Sequence, residues 1–484
     1  MTAYEPVIGL EVHAELETAS KMFCACEVVD STSARPNTAI CPVCLGMPGV
    51  LPVVNRQAVE YGLMVGLALH CEIPAFNQFA RKSYFYPDLP KGYQISQYEY
   101  PLAVNGWLEI DLPDGASRQI RIRRAHLEED TGKLTHVDGH SLVDLNRAGV
   151  PLLEIVSEAD IHSAEEAEAY ARKLRAILQY LGVNSGDMSK GVLRFEANVS
   201  VRPVGSDELR TRTEIKNLNS IRSLARGVAY EIERQTAVWE SGGAVQQATM
   251  GWDETRQVTV VQRVKESADD YRYFPEPDLP VLEISPEWVE TVRAQLPELP
   301  DAKRDRYMNA LGLTRYDASV LVAERAVAEY FEAALAAGGD PKQLANYITG
   351  DVFRQMNLEG REREEIGSLR LTPQALAQLV TLVQQGTINH GIAKRLLETL
   401  YAEGGDPAAL VEQQGLAQVT DESVLAGAIS AVLDENPDEV ARYLAGEDKL
   451  IKFLMGKVMK ALRGKGDAQI VQRLLADQLE ARRV

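Results

Sequence analysis

Up to about residue 293, apolar and polar residues alternate in many short runs; beyond it helical spacing dominates. In Leu10 to Glu17, Leu10, Val12, Ala14 and Leu16 alternate with Glu11, His13, Glu15 and Glu17, so a strand here puts three carboxylates and an imidazole on one face. Leu193 to Arg202 sets Arg194, Glu196, Asn198, Ser200 and Arg202 against Leu193, Phe195, Ala197, Val199 and Val201. A third run, Arg210 to Lys216, alternates Arg210, Arg212, Glu214 and Lys216 with Thr211, Thr213 and Ile215. One long helical stretch, Ser163 to Tyr180, interrupts this region. After Pro297 and Pro300, helix stops such as Gly338-Gly339-Asp340-Pro341, Gly404-Gly405-Asp406-Pro407 and Asn436-Pro437 recur. The pattern predicts a strand-rich domain over 1–293, a helical domain over 294–407 and a helical tail over 408–484, and 484 residues exceed what one core usually organises.

Half-exposed antiparallel strands alternate by default, so each polar face is also compatible with plain solvation. The residue types favour something else. A solvated face usually carries Lys, Thr and Gln, whereas these carry Glu, His, Asn and Arg together, a mixture that suits metal and phosphate. The candidates are Glu11, His13, Glu128, Glu129, Glu154 and Glu214. Carboxylates brought close raise one another's pKa unless a cation lies between them, and Mg²⁺ takes oxygen ligands while keeping waters and nucleotide phosphates in its shell. His13 is less typical of magnesium and leaves Mn²⁺ open. Glu128 and Glu129 are adjacent and would point to opposite faces of a regular strand, but a strand end before Asp130-Thr131-Gly132 could bring both to one site. The structural alternative is an acidic turn paired with Arg121, Arg123 or Arg124. His126, His136 and His140 read as structural or surface histidines.

Cys24, Cys26, Cys41 and Cys44 form C-x-C and C-x-x-C separated by fourteen residues, with Gly46 trailing as in a zinc knuckle. Four thiolates would close the coordination of Zn²⁺, which makes the expected role structural. Cys71 lies in an apolar stretch and reads as core. The net charge of -19 opposes general nucleic-acid binding, so any RNA contact needs a local basic face. Lys449 to Lys465 holds six basic residues and no acidic ones. Lys449, Lys452, Lys457, Lys460 and Arg463 share one helical arc opposite Leu450, Ile451, Leu454, Met455, Val458 and Leu462, and Lys465 closes the run. We read this arc as a phosphate-backbone contact rather than a merely solvated face. There is no G-x-x-x-x-G-K-[ST] loop, no G-x-G-x-x-G after a strand and no G-x-S-x-G, so ATP would have to be held by metals and basic side chains. No apolar run approaches the roughly 18 residues of a membrane span, and no basic region precedes an apolar one at the N-terminus, so a cytoplasmic location with no membrane partner is expected.

Longer motifs carry a resemblance. VIGLEVH at 7–13, HLEED at 126–130, NRAGVPLLE at 146–154 and DYRYFPEPDLP at 270–280 closely resemble the GatB family of the tRNA-dependent amidotransferases. RKSYFYPDLPKGY at 81–93 and EIKNLNS at 214–220 belong to the same pattern, and the likeness covers the whole chain. The resemblance implies an α+β protein: a mainly antiparallel-sheet cradle domain with inserted helices, an all-α helical domain and an all-α tail similar to the YqeY family.

It further implies a ligase forming a carbon–nitrogen bond, within a heterotrimer of an amidase (the A component), this GatB component and a small third, C component. Glutamine is the amido donor, and the misacylating aminoacyl-tRNA synthetase is a possible associate. ATP would phosphorylate the side-chain carboxylate of Glu-tRNA(Gln) or Asp-tRNA(Asn), and ammonia from the amidase would then displace phosphate. By resemblance, His13, Glu129 and Glu154 would hold one ion and Glu11, Glu128 and Glu214 a second, with Glu129 and Lys216 catalytic. Arg194, Asn198, Lys216 and Lys265 would contact ATP phosphates or the aminoacyl end. Lys82, Tyr84, Asp88 and Lys91 would line a passage for ammonia, and the tail's basic arc would hold the tRNA. The chain has Phe195-Glu196 where the family more often shows Cys-Asp, and Glu196 is not assigned as a ligand. A non-catalytic, zinc-containing tRNA-binding scaffold is the alternative. A free-standing glutamine amidotransferase would need a nucleophile that the chain does not offer.

Overall fold

The computed structural model describes residues 3–112, 115–264, 271–419 and 421–483. The chain is α+β and divides into two compact units, 1–300 and 301–484. An eight-stranded sheet organises the first, in the order Val258–Val264, Ala248–Asp253, Thr213–Leu218, Leu193–Pro203, Tyr4–Glu15, Pro151–Ser157, Ser117–Glu129 and Ala103–Asp111. Neighbours are antiparallel except Thr213–Leu218 and Ala248–Asp253, which run parallel.

Alternation along Tyr4–Glu15 turns Ile8, Leu10, Val12 and Ala14 into the core. Helices Arg56–Ala68, Ala164–Leu181 and Ile221–Glu240 cover that face through side chains such as Leu63, Leu174 and Val228, all in one apolar cluster with the strands. Ser163 caps its helix by accepting from the Glu166 amide at 3.1 Å, and Gly182 ends it in the left-handed conformation. Helix Ile221–Glu240, which the hydrophobic pattern does not single out, starts in the same way from Ser220. Because these three helices pack on the apolar face, the opposite face of the sheet is left for Glu, His, Asn and Arg.

Two strand limits differ from expectation. The first strand begins earlier and ends at Glu15, before Leu16 and Glu17. Arg210 and Arg212 precede the strand Thr213–Leu218 instead of belonging to it. A small three-stranded sheet, Phe274–Pro275, Phe79–Ser83 and Tyr93–Gln97, lies in the same unit. The hairpin Lys133–Val137 and His140–Asp144 carries His136 and His140 at the surface.

The second unit is helical among the described residues and holds two apolar clusters, one from Tyr307 to Val411 and one from Leu425 to Leu479. In the latter, Leu454 and Val458 of helix Leu450–Ala461 pack with Val471 and Leu475 of helix Ala468–Ala481.

Candidate active site

Strand register brings residues distant in sequence together on the polar face. His13 stands opposite Glu154 on one side and Arg194 on the other; Glu154 stands opposite His126; Glu11 faces Glu196; and Asn198 faces Glu214. Two groups of ligating atoms result, each within 4.8 Å: His13, Glu128 and Glu154, and Glu11, Glu196 and Glu214. In the first, His13 Nε2 lies 3.3 Å from Glu154 and 3.7 Å from Glu128, with His126 Nε2 3.7 Å from Glu154. In the second, Lys216 pairs with Glu196 and lies 3.3 Å from Glu214, the Thr249 hydroxyl donates to Glu214 at 3.1 Å, and Asn198 approaches Glu11 at 3.5 Å. A cavity of about 380 Å³ opens onto Glu11, Glu154, His126, Lys82, Arg124 and Asn198.

Burial shapes the charge of the first group. It pushes the Glu128 carboxyl up to about 7, with Glu154 adding repulsion. For Glu154 burial acts the same way, but His126 and His13 outweigh it and hold this carboxyl well below the usual range. Burial opposes protonation of His13, yet its contact with Glu154 wins and raises it to about 9, while His126 is pushed by burial down to about 4. His13 Nδ1 is buried without a hydrogen-bond partner. In the second group, burial and then Glu154 raise the Glu11 carboxyl. Concentrated carboxylates of this kind fit divalent cations, with the three-carboxylate group suited to magnesium and the imidazole group also open to manganese.

The four sulfurs of Cys24, Cys26, Cys41 and Cys44 also lie within 4.8 Å of one another, and the Cys41 amide points at Cys44 Sγ, 3.1 Å away. This donor set fits a tetrahedral thiolate site for zinc. Cys71 is buried elsewhere in the main core.

Residues 6–290 match the family described as the GatB/GatE catalytic domain, and residues 329–479 match the GatB domain of the GatB/YqeY type. The GatB protein of the aspartyl/glutamyl-tRNA(Asn/Gln) amidotransferase of Moorella thermoacetica is 53% identical over 98% of this chain and 100% of its own length. The chain belongs to the GatB family. The proteins of the same name from Thermodesulfovibrio yellowstonii, 51% identical over 98% of each chain, and Geobacillus kaustophilus, 50% identical over 99% of this chain and 100% of its own, are equally extensive relatives.

The geometry groups the candidate ligands differently from the expectation for a GatB chain. Strand Ser117–Glu129 stays regular through Glu129, so Glu128 and Glu129 point to opposite faces. Glu128 joins His13 and Glu154, whereas Glu129 pairs with Lys91 and accepts from the Ile95 amide at 2.9 Å. Glu196, unassigned from sequence, completes the second group, because it stands directly opposite Glu11. His126, read from sequence as structural or surface, is buried and lines the cavity beside Glu154, a placement that its spacing of two from Glu128 would have signalled. Arg194 turns from both groups to pair with Asp130 at 2.8 Å and Glu15 at 3.5 Å.

Among the passage residues, Lys82 reaches the cavity; burial opposes its charge, but Glu128, Tyr273 and Glu154 together outweigh that and keep it protonated. The Tyr84 hydroxyl donates to Gln94 at 3.1 Å, and Asp88 accepts from Thr131 at 3.5 Å, so neither lines that cavity. Lys265 lies outside the described residues. In the tail, Lys449, Lys452, Lys457, Lys460 and Arg463 are exposed, but Lys465 is half-buried and donates to the Gly415 carbonyl. No helix among the described residues is long and apolar enough to cross a membrane.

Proposed function

We propose that this chain is the component of a tRNA-dependent amidotransferase that activates and amidates the side-chain carboxylate of Glu-tRNA(Gln), Asp-tRNA(Asn) or both. The supporting observation is the pair of acidic groups on one sheet face, opening onto a cavity with Lys82, Arg124 and Asn198. A carboxylate does not take ammonia directly, because oxide is a poor leaving group. Transfer of the γ-phosphoryl of ATP makes an acyl phosphate; ammonia then adds to the carbonyl carbon and phosphate departs, leaving the amide. Phosphoryl transfer is largely positioning and charge neutralisation.

His13, Glu128 and Glu154 would hold one divalent cation and Glu11, Glu196 and Glu214 a second; when bound, magnesium or manganese supplies positive charge for ATP phosphates. Lys216 orders Glu196 and Glu214 and adds a cation of the chain's own. Asn198 and Arg124 are placed to donate to phosphate or to the aminoacyl end, and Lys265 is assigned the same role by its family motif. Lys82, with Lys91 and Asp88 farther out, would mark the route by which ammonia enters, excluding bulk water from the acyl phosphate. Arg194 is a positioning residue that fixes Asp130 and Glu15 beside the acidic face.

The four cysteines would hold a structural zinc. The amidase and the small third component of the heterotrimer are the expected partners, with glutamine as the amido donor, a cytoplasmic location and the misacylating synthetase as a possible associate. The tail, 408–484, would dock the tRNA through Lys449, Lys452, Lys457, Lys460 and Arg463, reading its shape more than its bases.

The test is ATP- and Mg²⁺-dependent conversion of Glu-tRNA(Gln) with ammonium chloride as donor, in the assembled heterotrimer, comparing wild type with Glu154→Ala. Loss in a folded variant supports the reading; equal activity in both removes the acidic face from the chemistry and favours the scaffold. Deleting 408–484 is expected to weaken tRNA binding, and unchanged affinity would take the tail out of the docking role.

A further inference from the structure

A second cavity, of about 120 Å³, shares Tyr98 and Tyr273 with the large one and is otherwise lined by Phe79, Tyr100, Phe274 and the polar Gln78 and Glu99, among others. The two shared rings are stacked, with centroids 4.2 Å apart and planes 11° from parallel. Tyr98, Tyr100 and Phe274 are 46%, 44% and 45% exposed, and Phe76, edge-on to Tyr100 at 4.9 Å, is 47% exposed. Aromatic residues make up only 6% of the chain, so three exposed ones lining a single cavity, with a fourth packed against one of them, are not what core packing demands. Flat rings left open to solvent form the kind of surface on which unpaired bases stack.

The position of this shelf narrows the ligand. Lys82, Arg124 and Glu154 line the large cavity together with Tyr98 and Tyr273, which places the tyrosine wall beside the first acidic group. A side-chain carboxylate esterified through its amino acid to a tRNA is only a few bonds from the terminal ribose. If that carboxylate reacts at the acidic face, the terminal base must lie close by. The large cavity, with its acidic groups and its Arg124, Arg210 and Arg212, suits the triphosphate of ATP, which leaves the aromatic cavity for the other nucleotide. Its polar groups agree: the Glu99 carboxylate can accept from the exocyclic amine of adenine, the base that ends every tRNA, and the Gln78 amide can donate to a ring nitrogen.

We propose that Tyr98, stacked on Tyr273 and flanked by Tyr100 and Phe274, is the platform for the 3′-terminal adenine of the aminoacylated tRNA. This rests on the reading that the aminoacyl carboxylate is activated on the adjacent acidic face. Tyr98 and Tyr273 then separate the two nucleotides: the base of the tRNA on one cavity, ATP in the other.

The experiment uses the full chain in its heterotrimer and uncharged tRNA carrying 2-aminopurine at its 3′ end, whose fluorescence falls on stacking. Wild type should quench the probe, Tyr98→Ala and Tyr100→Ala should lose at least half of that quenching, and Tyr98→Trp should retain it. With ammonium as donor, Tyr100→Ala, which lines the aromatic cavity and not the large one, should raise KM for the misacylated tRNA by about 10-fold, as expected for one lost stack, with KM for ATP unchanged. Equal quenching in all variants overturns the proposal. So does a raised KM for ATP with an unchanged KM for tRNA, which would give the platform to the base of ATP. Loss of co-elution with the other two chains of the heterotrimer on Tyr98→Ala overturns it as well, since the shelf would then be an interface between chains. The binding signal requires no catalysis: Tyr98-dependent quenching in a complex without amidation would uphold the platform while the catalytic reading fails, and amidation without quenching would do the reverse.

Discussion

The two acidic groups on the sheet differ in what balances them. Glu128 and Glu154 are buried and share the proton of His13, with His126 and Lys82 behind them, whereas Glu11, Glu196 and Glu214 are met by the ammonium of Lys216. A cation entering the first group therefore competes with a proton; one entering the second competes with a tethered side chain. The same sheet face thus offers two sites with different pH sensitivity, because His13 loses its proton as the pH climbs through about 9, whereas Lys216, although burial opposes its charge, is held by Glu196 and Glu214 above the usual lysine range.

The sharpest way to break this comparison is to separate the adjacent glutamates. Glu128→Gln should lower ammonium-supported, ATP-dependent amidation by about 100-fold or more, the scale for removing one charge-stabilising group, whereas Glu129→Gln should cost less than about 10-fold through its lost pairing with Lys91. Equal losses would mean that strand parity does not sort these residues by role. Next in size, Glu196→Gln should raise the magnesium concentration for half-maximal activity by about 10-fold, within the range for a weakened metal shell. An unchanged magnesium requirement would remove Glu196 from the second group.

The smallest effect is on stability. His13 is raised in the folded protein from 6.5 to about 9, so the native state holds an extra proton there; that contribution is full below pH 6.5 and lost as the pH climbs through about 9. Glu128, raised to about 7, acts in the same direction at lower pH. His126 acts oppositely, but only between about 4 and 6.5. Metal-free protein in chelator should therefore lose thermal stability between about pH 7 and pH 9, and millimolar magnesium should flatten the slope. A Tm that holds steady or rises over that range would show that His13 does not carry the proton.

Much of the site is legible in strand parity. Glu11, His13 and Glu15 share a face because they are two apart, as do His126 and Glu128, and the same rule sends Glu129 away. The turn signal at Asp130 suggests an exception, yet regular pairing with Pro151–Ser157 continues through Glu129, where it faces Pro151. Only side-chain length argues against Glu196 as a ligand; its position opposite Glu11 follows from register. Arg194 looks available for phosphate because alternation specifies a face but not a partner, and Asp130 lies within its reach. Cysteine spacing is legible because a knuckle is local, and its two halves meet in the fold.

By itself the sequence determined the alternating faces, the four-cysteine pattern, the basic arc of the tail and the family motifs, all of which are local properties of neighbouring residues. Only the tertiary structure decided which carboxylates meet, that Glu128 rather than Glu129 joins His13, that Lys465 is withdrawn from the basic arc, and that Tyr98 stacks on Tyr273 beside the acidic face. The reason is physical: these contacts depend on strand order and register between segments far apart in the chain, which are set by burying the whole apolar face at once.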